Sequence, residues 1–237
     1  MGLKLNREKD KNFLLIVIYR LFKLKILSNK VRLKLFLNLE WIFDRLAHEE
    51  SYKIYNVEEH PVRLSSMEFL KKHIKSTDKV FDLGCNSGDL SNLIADISYE
   101  VIGIDYNEKL IKLAKIKYSR NNLSFHFDEA YNFLKKNNNK FDVLILSHIL
   151  EHLDNPKEFL NEFKIFFNYI FIDLPDYESS FSNKFRLKVG SKLNYTDIDH
   201  VSEFDRLELI EILTFCGLEV LDVEYKFGFQ KYWCKVK

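Results

Sequence analysis

A short series of acidic, glycine and hydroxyl-bearing positions can grip a polar ligand, and they come in a fixed order. Asp82-Leu83-Gly84-Cys85-Asn86-Ser87-Gly88 closes an apolar run and opens a helix-like pattern at Asp89. Strand, glycine turn and helix in succession aim backbone N–H groups and a helix N-terminus at a ligand. Gly84 and Gly88 remove Cβ atoms where a ligand must lie close to the backbone. Asp82 can accept hydrogen bonds from an amine or a hydroxyl. Asp105 ends the next apolar run, about twenty residues past the turn, where an acid holds ribose hydroxyls. Asp128–Glu129, Ser147–His148 and Asp173 end or follow later runs. The turn alone fits any nucleotide, including that of a dehydrogenase.

These residues meet only if the runs are neighbouring strands. Lys79–Leu83, Glu100–Ile104, Leu123–Phe127, Phe141–Leu146 and Tyr169–Leu174 read as strands. Helical spacing fills Asp89–Ile97, Glu108–Tyr118, Glu129–Lys136 and Pro156–Phe166 between them. Nearly continuous apolar strands alternating with helices predict a buried parallel sheet with right-handed crossovers. Such a sheet binds ligands at the carboxyl ends of its strands. Asn155, Pro156 and Glu158 occupy the N-cap, N1 and N3 positions of the fourth of these helices. Asp176–Asp199 has little periodicity but carries Tyr177, Phe181, Phe185 and Tyr195, the composition of a functional lid over about 176–200. Asp205 caps a helix over Asp205–Cys216 that Gly217 stops. Leu218–Tyr225 and Lys231–Val236 follow with no helix between them, a hairpin turning near Gly228. That hairpin, and a turn with Asn86 in place of a tighter glycine, argue against a dinucleotide-linked dehydrogenase.

The chain has 237 residues, 46% of them hydrophobic, enough for one domain with a real core. Residues 1–60 read as a helical extension and 61–237 as the domain. A net charge of +1 gives no global field that recruits nucleic acid. Cys85, Cys216 and Cys234 make neither a metal spacing nor a disulfide framework, which suits a cytoplasmic location. Phe13–Tyr19 is far shorter than the roughly 20 residues of a membrane span. No small-residue cleavage site follows the basic start, so a signal peptide is not expected. Leu21–Leu39 interleaves Lys and Arg with Leu, Ile and Phe. A basic helix of this kind rests on its own domain, on a second subunit of a homodimer, or, through residues 12–40, on a membrane surface. Glu40–His60 reads as another helix, and Pro61 restarts the chain at Val62–Ile74.

DLGCNSG, VIGID, FDVLILSHILEHLDNP and HVSEFD…LTFCGLEV, in that order, resemble a class I S-adenosylmethionine-dependent methyltransferase of the small-molecule type. The resemblance covers about residues 60–237. It implies an α/β, Rossmann-like, doubly wound seven-stranded sheet of order 3-2-1-4-5-7-6 with strand 7 antiparallel. It implies S-adenosylmethionine as cofactor, with Asp82, Gly84, Cys85, Asn86 and Gly88 around its methionine part. Asp105 would take the ribose hydroxyls and Tyr106 would pack on the adenine. Glu129 would meet the adenine amine, with Asp128 as its alternative. Ser147 and His148 would lie beneath the sulfonium. Asn86 departs from the usual glycine, but asparagine tolerates unusual backbone angles. Transfer to oxygen calls for a proton acceptor, for which His148 stands first, then His200 and His152. His148, Glu151 and His152 also resemble the E-x-x-E-H metal pattern of ubiquinone-pathway and small-RNA methyltransferases, although no metal is required by default. EHP before Val62 resembles a subgroup found near surface-glycan genes. The implied acceptor is a small sugar-like molecule, contacted by Tyr177 and Tyr195. A lipid or quinone-like acceptor and a non-catalytic binding relative are the alternatives.

Overall fold

In the computed structural model, residues 13–23, 26–137 and 140–237 are described. Residues 12, 24 and 25, part of the stretch read as a surface helix, lie outside the described residues, as do 1–11, 138 and 139. The apolar runs fold as strands, and the five parallel ones end at one edge of the sheet. The strands are β1 (Lys79–Leu83), β2 (Glu100–Asp105), β3 (Leu123–Phe127), β4 (Phe141–Ser147), β5 (Phe167–Pro175), β6 (Leu218–Lys226) and β7 (Phe229–Val236). They form a seven-stranded sheet in the order β3-β2-β1-β4-β5-β7-β6. β1 to β5 run parallel, and β7 runs antiparallel to both β5 and β6. The predicted architecture is therefore the observed one. The register sets Asp82 beside Gly103 and Ile145, and Ser147 beside Asp173, so the polar strand ends share one edge.

Successive strand residues face opposite sides, and each side meets its own helices. Phe81, Leu144, Leu146, Ile170 and Ile172 pack with Leu160, Phe163, Leu209 and Leu213. Those partners come from α7 (Pro156–Phe163) and α9 (Arg206–Phe215). Val80, Val143, Ile145 and Phe171 pack on the other side with Met67, Phe69, Leu70, Leu90 and Ile94. Those come from α3 (Pro61–Leu70) and α4 (Asp89–Ile94). Burying such a side chain contributes about 1.5–3 kcal/mol, so both layers hold the site's floor in place. α5 (Glu108–Lys117) and α6 (Ala130–Asn137) complete the crossovers.

The helix ends follow local chemistry, with exceptions. Asp205 accepts from the N–H of Glu208 at 2.8 Å, and Gly217 follows α9 at φ +73°. Asn155 precedes α7 without a side-chain capping bond, so the fixed φ of Pro156 at the first position carries that start. α7 stops at Phe163, and only a 3₁₀ turn, Lys164–Phe166, continues it.

Three expectations are corrected. Residues 29–54 form one helix, α2 (Asn29–Ile54), preceded by α1 (Phe13–Phe22), where the sequence predicts two helices on either side of Glu40. Pro61 is the first residue of α3, which ends at Leu70 rather than Ile74. The lid is partly helical. Asp176 caps a 3₁₀ turn, Tyr177–Ser179, and Ser180 caps α8 (Phe181–Val189), which Gly190 ends at φ +67°. The buried face of α8 is polar, made of Ser182, Asn183 and Arg186, so it shows no apolar period. Among the described residues no helix is long and apolar enough to cross a membrane.

Candidate active site

The turn after β1 is built from left-handed backbone. Gly84, Asn86 and Gly88 have φ of +72°, +51° and +81°. Asn86 tolerates this angle as expected. The N–H groups of Gly84 and Cys85 both donate to the carbonyl of Ile104, tying the turn to β2. A Cβ on Gly88 would lie 2.5 Å from Cζ of Phe125. Gly88→Ala should therefore destabilise by about 2 kcal/mol or more, summing left-handed strain and overpacking. A lower urea midpoint at unchanged slope would show it, and an unchanged midpoint would contradict it. Cys85 is buried, and burial pushes its thiol well up, so it packs and does not react.

Around the turn the acids divide by environment. Asp82 is 2% exposed and accepts from Ser91 Oγ at 2.5 Å. Burial pushes its carboxyl up to about 6, against the lowering effect of the Ser91 bond. Asp105 accepts the N–H groups of Asn86 and Asn107 at 3.0 and 2.8 Å, one on each oxygen. That fixes its plane and leaves lone pairs for hydroxyls. Tyr106 beside it is 86% exposed. Glu129 turns both oxygens back onto the N–H groups of Tyr131 and Asn132, the first turn of α6. Asp128 spends one oxygen on the N–H of Glu129 and keeps the other for a ligand. Both acids keep lone pairs, so either can accept a further hydrogen bond. Asp173 is 1% exposed and takes the Ser66 hydroxyl at 2.5 Å.

Two cavities meet at this edge. One, of about 600 Å³, is lined by Asp82, Gly84, Cys85, Asn86, Ser147 and His148 from the sheet edge. Gly88, Asp105, Tyr106, Asp128 and Glu129 lie outside that lining, and Asp105 reaches the turn through the Asn86 N–H. Tyr52, Tyr55, His60 and Arg63, from α2, α3 and the link between them, close the cavity. Sequence reasoning missed these four. Arg63 acts on Asp82 electrostatically and lowers its carboxyl. An acid and a guanidinium in one cavity fit a ligand with an amine and a carboxylate. The other cavity, of about 880 Å³, lies between α2, the lid and the hairpin. Its walls include Glu40, Trp41, Arg45, Asn183, Arg186, Thr196 and Asp197. His148 and His152 line both cavities. Tyr177, Tyr195 and Asp173 line neither. Tyr177 turns its hydroxyl to the Asn183 carbonyl, and Tyr195 offers its carbonyl to Trp41 Nε1. The aromatic walls come instead from Trp41, Tyr52, Phe227 and Phe229.

His148 sits at φ +57°, immediately beyond the end of β4, with its N–H on the Asp173 carbonyl at 2.8 Å. Its Nδ1 is 3.1 Å from Oε1 of Glu151, a residue 1% exposed. Oε2 of Glu151 is buried without a partner among the described residues. His200 pairs through Nδ1 with Thr196 and Glu203, both at 3.0 Å. Burial works to lower its imidazole, but the bond and charge of Glu203 win and hold it above its ordinary value. The rings of His152 and His200 are 5.0 Å apart. Glu151, His152 and His200 each bring a ligand atom within 4.8 Å of the others. The triad therefore uses His200 where the spacing suggests His148, whose Nδ1 is turned to Glu151.

A turn that spares Cβ atoms, a buried acid sharing its cavity with a guanidinium, and an acid at the end of β2 that keeps lone pairs can together hold a nucleoside carrying an amino acid. The chain belongs to the class I S-adenosylmethionine-dependent methyltransferases: a methyltransferase-domain family profile matches residues 57–223. Its cofactor is S-adenosylmethionine. It is 28% identical over 120 residues to the ubiquinone biosynthesis O-methyltransferase of Pelagibacter ubique, covering 51% of this chain and 50% of that one. It is 30% identical over 105 residues to the ribosomal protein L11 methyltransferase of Staphylococcus saprophyticus, covering 40% and 32%. The chain thus spans half or less of the length of these curated relatives. Magnesium protoporphyrin IX methyltransferase of Synechocystis, solved with S-adenosylhomocysteine, shares the fold at a TM-score of 0.58 and 15% identity, covering 77% of this chain and 89% of that one.

Proposed function

We propose that this methyltransferase transfers its methyl group to a hydroxyl of a small polar acceptor, a sugar or sugar derivative. The observation that carries the reading is His148, a wall of both cavities with Nδ1 held by buried Glu151. In this reading Asp82 takes the amine of the cofactor and Arg63 its carboxylate. Asp105 takes the ribose hydroxyls, Tyr106 covers the adenine, and Glu129, or Asp128 beside it, meets the adenine amine. Gly84, Cys85, Asn86 and Gly88 shape the backbone, and Ser147 lies beside the sulfur. When bound, the cofactor supplies an electrophilic methyl group, and the protein supplies alignment and a dry cavity. His148 Nε2 would take the proton of the acceptor hydroxyl as the methyl carbon exchanges its bond to sulfur for one to oxygen, the neutral thioether being the leaving group. Glu151 holds the ring in place and stabilises the imidazolium.

The acceptor cavity supports a hydroxyl-rich ligand. Glu40, Asp44, Glu49, Arg45, Arg186 and Asn183 line it, with Trp41 as a flat apolar wall. An apolar quinone ring there would strip water from these groups without replacing it. The test follows labelled methyl transfer from S-adenosylmethionine to free and nucleotide-linked sugars, against catechol-type acceptors. Labelled sugar is the expected product; transfer to catechols alone overturns the sugar reading.

A second reading rests on the donor triad and the unpartnered oxygen of Glu151. A divalent cation held by Glu151, His152 and His200 would polarise the acceptor hydroxyl. Two nitrogens and one oxygen suit zinc or iron better than magnesium. If His148 acts as base alone, dialysis against a chelator leaves turnover within about twofold. Loss of turnover with recovery on adding zinc or iron selects the metal reading.

A further inference from the structure

We propose that α1 and the first turns of α2 form a docking surface for an anionic lipid bilayer. α1 reads FLLIVIYRLF and buries none of its side chains. Phe13, Leu14, Tyr19 and Leu21 are 79%, 66%, 65% and 58% exposed. A helix that is apolar on nearly every side is stable in water only when something covers it. At about 1.5 Å per residue it is roughly 15 Å long, half a hydrocarbon core, so it lies in an interface and does not span one. α2 extends the same surface. Arg32 donates to the Phe22 carbonyl at 2.6 Å, and Phe22 meets Phe36 edge-on at 4.6 Å. Val31 and Phe36 remain half exposed.

Charge decides the occupant. Residues 13–23 and 26–39 carry Arg20, Lys23, Lys30, Arg32 and Lys34 and no acid. The whole chain is only +1, so this is a local concentration that the net value hides. A second copy of the chain would set the same cations against one another. Anionic headgroups would neutralise them while the acyl boundary receives the apolar side chains. Arg32 and Lys34 are engaged with Phe22 and Gly190, which leaves Arg20, Lys23 and Lys30 for the headgroups. α2 then runs from this surface to both cavities, where Trp41 and Tyr52 form walls. Docking would hold the acceptor cavity close to the bilayer.

Flotation of the full chain with phosphatidylcholine vesicles, with and without phosphatidylglycerol, tests this without any acceptor. Wild type is expected to float with the anionic vesicles only, and less as salt rises. Each lost cation lowers partitioning about fivefold, so Lys23→Gln with Lys30→Gln should lose roughly 25-fold. Leu14→Glu with Ile18→Glu should abolish flotation. Calorimetric affinity for S-adenosylmethionine, unchanged in every variant, shows intact folding and keeps this test separate from the catalytic reading. Wild type that does not float, or variants that float as wild type does, overturn the proposal. So does a wild-type dimer, unbound to vesicles, that Leu14→Glu with Ile18→Glu turns into a monomer.

Discussion

His148→Asn is expected to lower kcat by about 10²–10⁴-fold, the range of a lost general base, while S-adenosylmethionine affinity stays within about twofold. Asparagine is chosen because position 148 has φ +57°, a left-handed angle that asparagine accepts more readily than most residues. The substitution removes the proton acceptor without adding backbone strain. Glu151→Gln probes the partner. It keeps a group near Nδ1 but removes the carboxylate that holds the ring, so kcat should fall about tenfold or more with little change in KM. Calorimetry and initial rates on the two variants separate binding from turnover. Turnover in His148→Asn equal to wild type would reject the base.

The sheet was legible because buried parallel strands are written as nearly unbroken apolar runs, and Phe141–Ser147 is the clearest of them. The hairpin was legible because no helix fits between Leu218 and Val236. Apart from His200, the cavity walls that the sequence placed lie at strand ends, in the turn after β1 and, for His152, shortly past β4. Asp82 and Ser147 are set by register, His148 follows directly, and Asp105 reaches the turn through the Asn86 N–H. Arg63 and Tyr52 were not legible, because their place depends on how α2 and α3 fold over the strand ends. Asp128 and Glu129 are neighbours in sequence, and only the structure shows that the Glu129 carboxylate turns onto the first turn of α6. α8 stayed hidden because its inner face binds α2 through polar groups. Arg186 pairs with Glu40, and Ser182 donates to the same carboxylate. The third donor of the Glu151 triad, His200, is brought in by the chain after α8, and no short spacing predicts that.

Asp82→Asn is expected to weaken S-adenosylmethionine binding at least about tenfold, the loss of one charge-assisted bond, and yet to melt at a higher temperature than wild type. The two effects have one cause. Asp82 is 2% exposed, and burial raises its carboxyl from the ordinary 3.8 to about 6. The folded state therefore holds this proton more tightly than the unfolded chain does. Stability from this group is greatest below about pH 4, falls as pH rises to about 6, and stays low above that. Two pKa units correspond to a penalty on the order of 2–3 kcal/mol at neutral pH. Asparagine carries no charge to bury and can still accept from Ser91, so the penalty disappears. For a chain of this size the melting temperature should rise by about 4–12 °C at pH 7.5, with a smaller gain at pH 5. The cofactor's amine offsets the same penalty in wild type by favouring the ionised carboxylate, so added S-adenosylmethionine should stabilise wild type more than the variant. Scanning calorimetry at both pH values, with and without cofactor, reads all of this. A variant that binds cofactor as wild type does, or that melts lower at pH 7.5, would mean that Asp82 is not the buried anion that receives the amine.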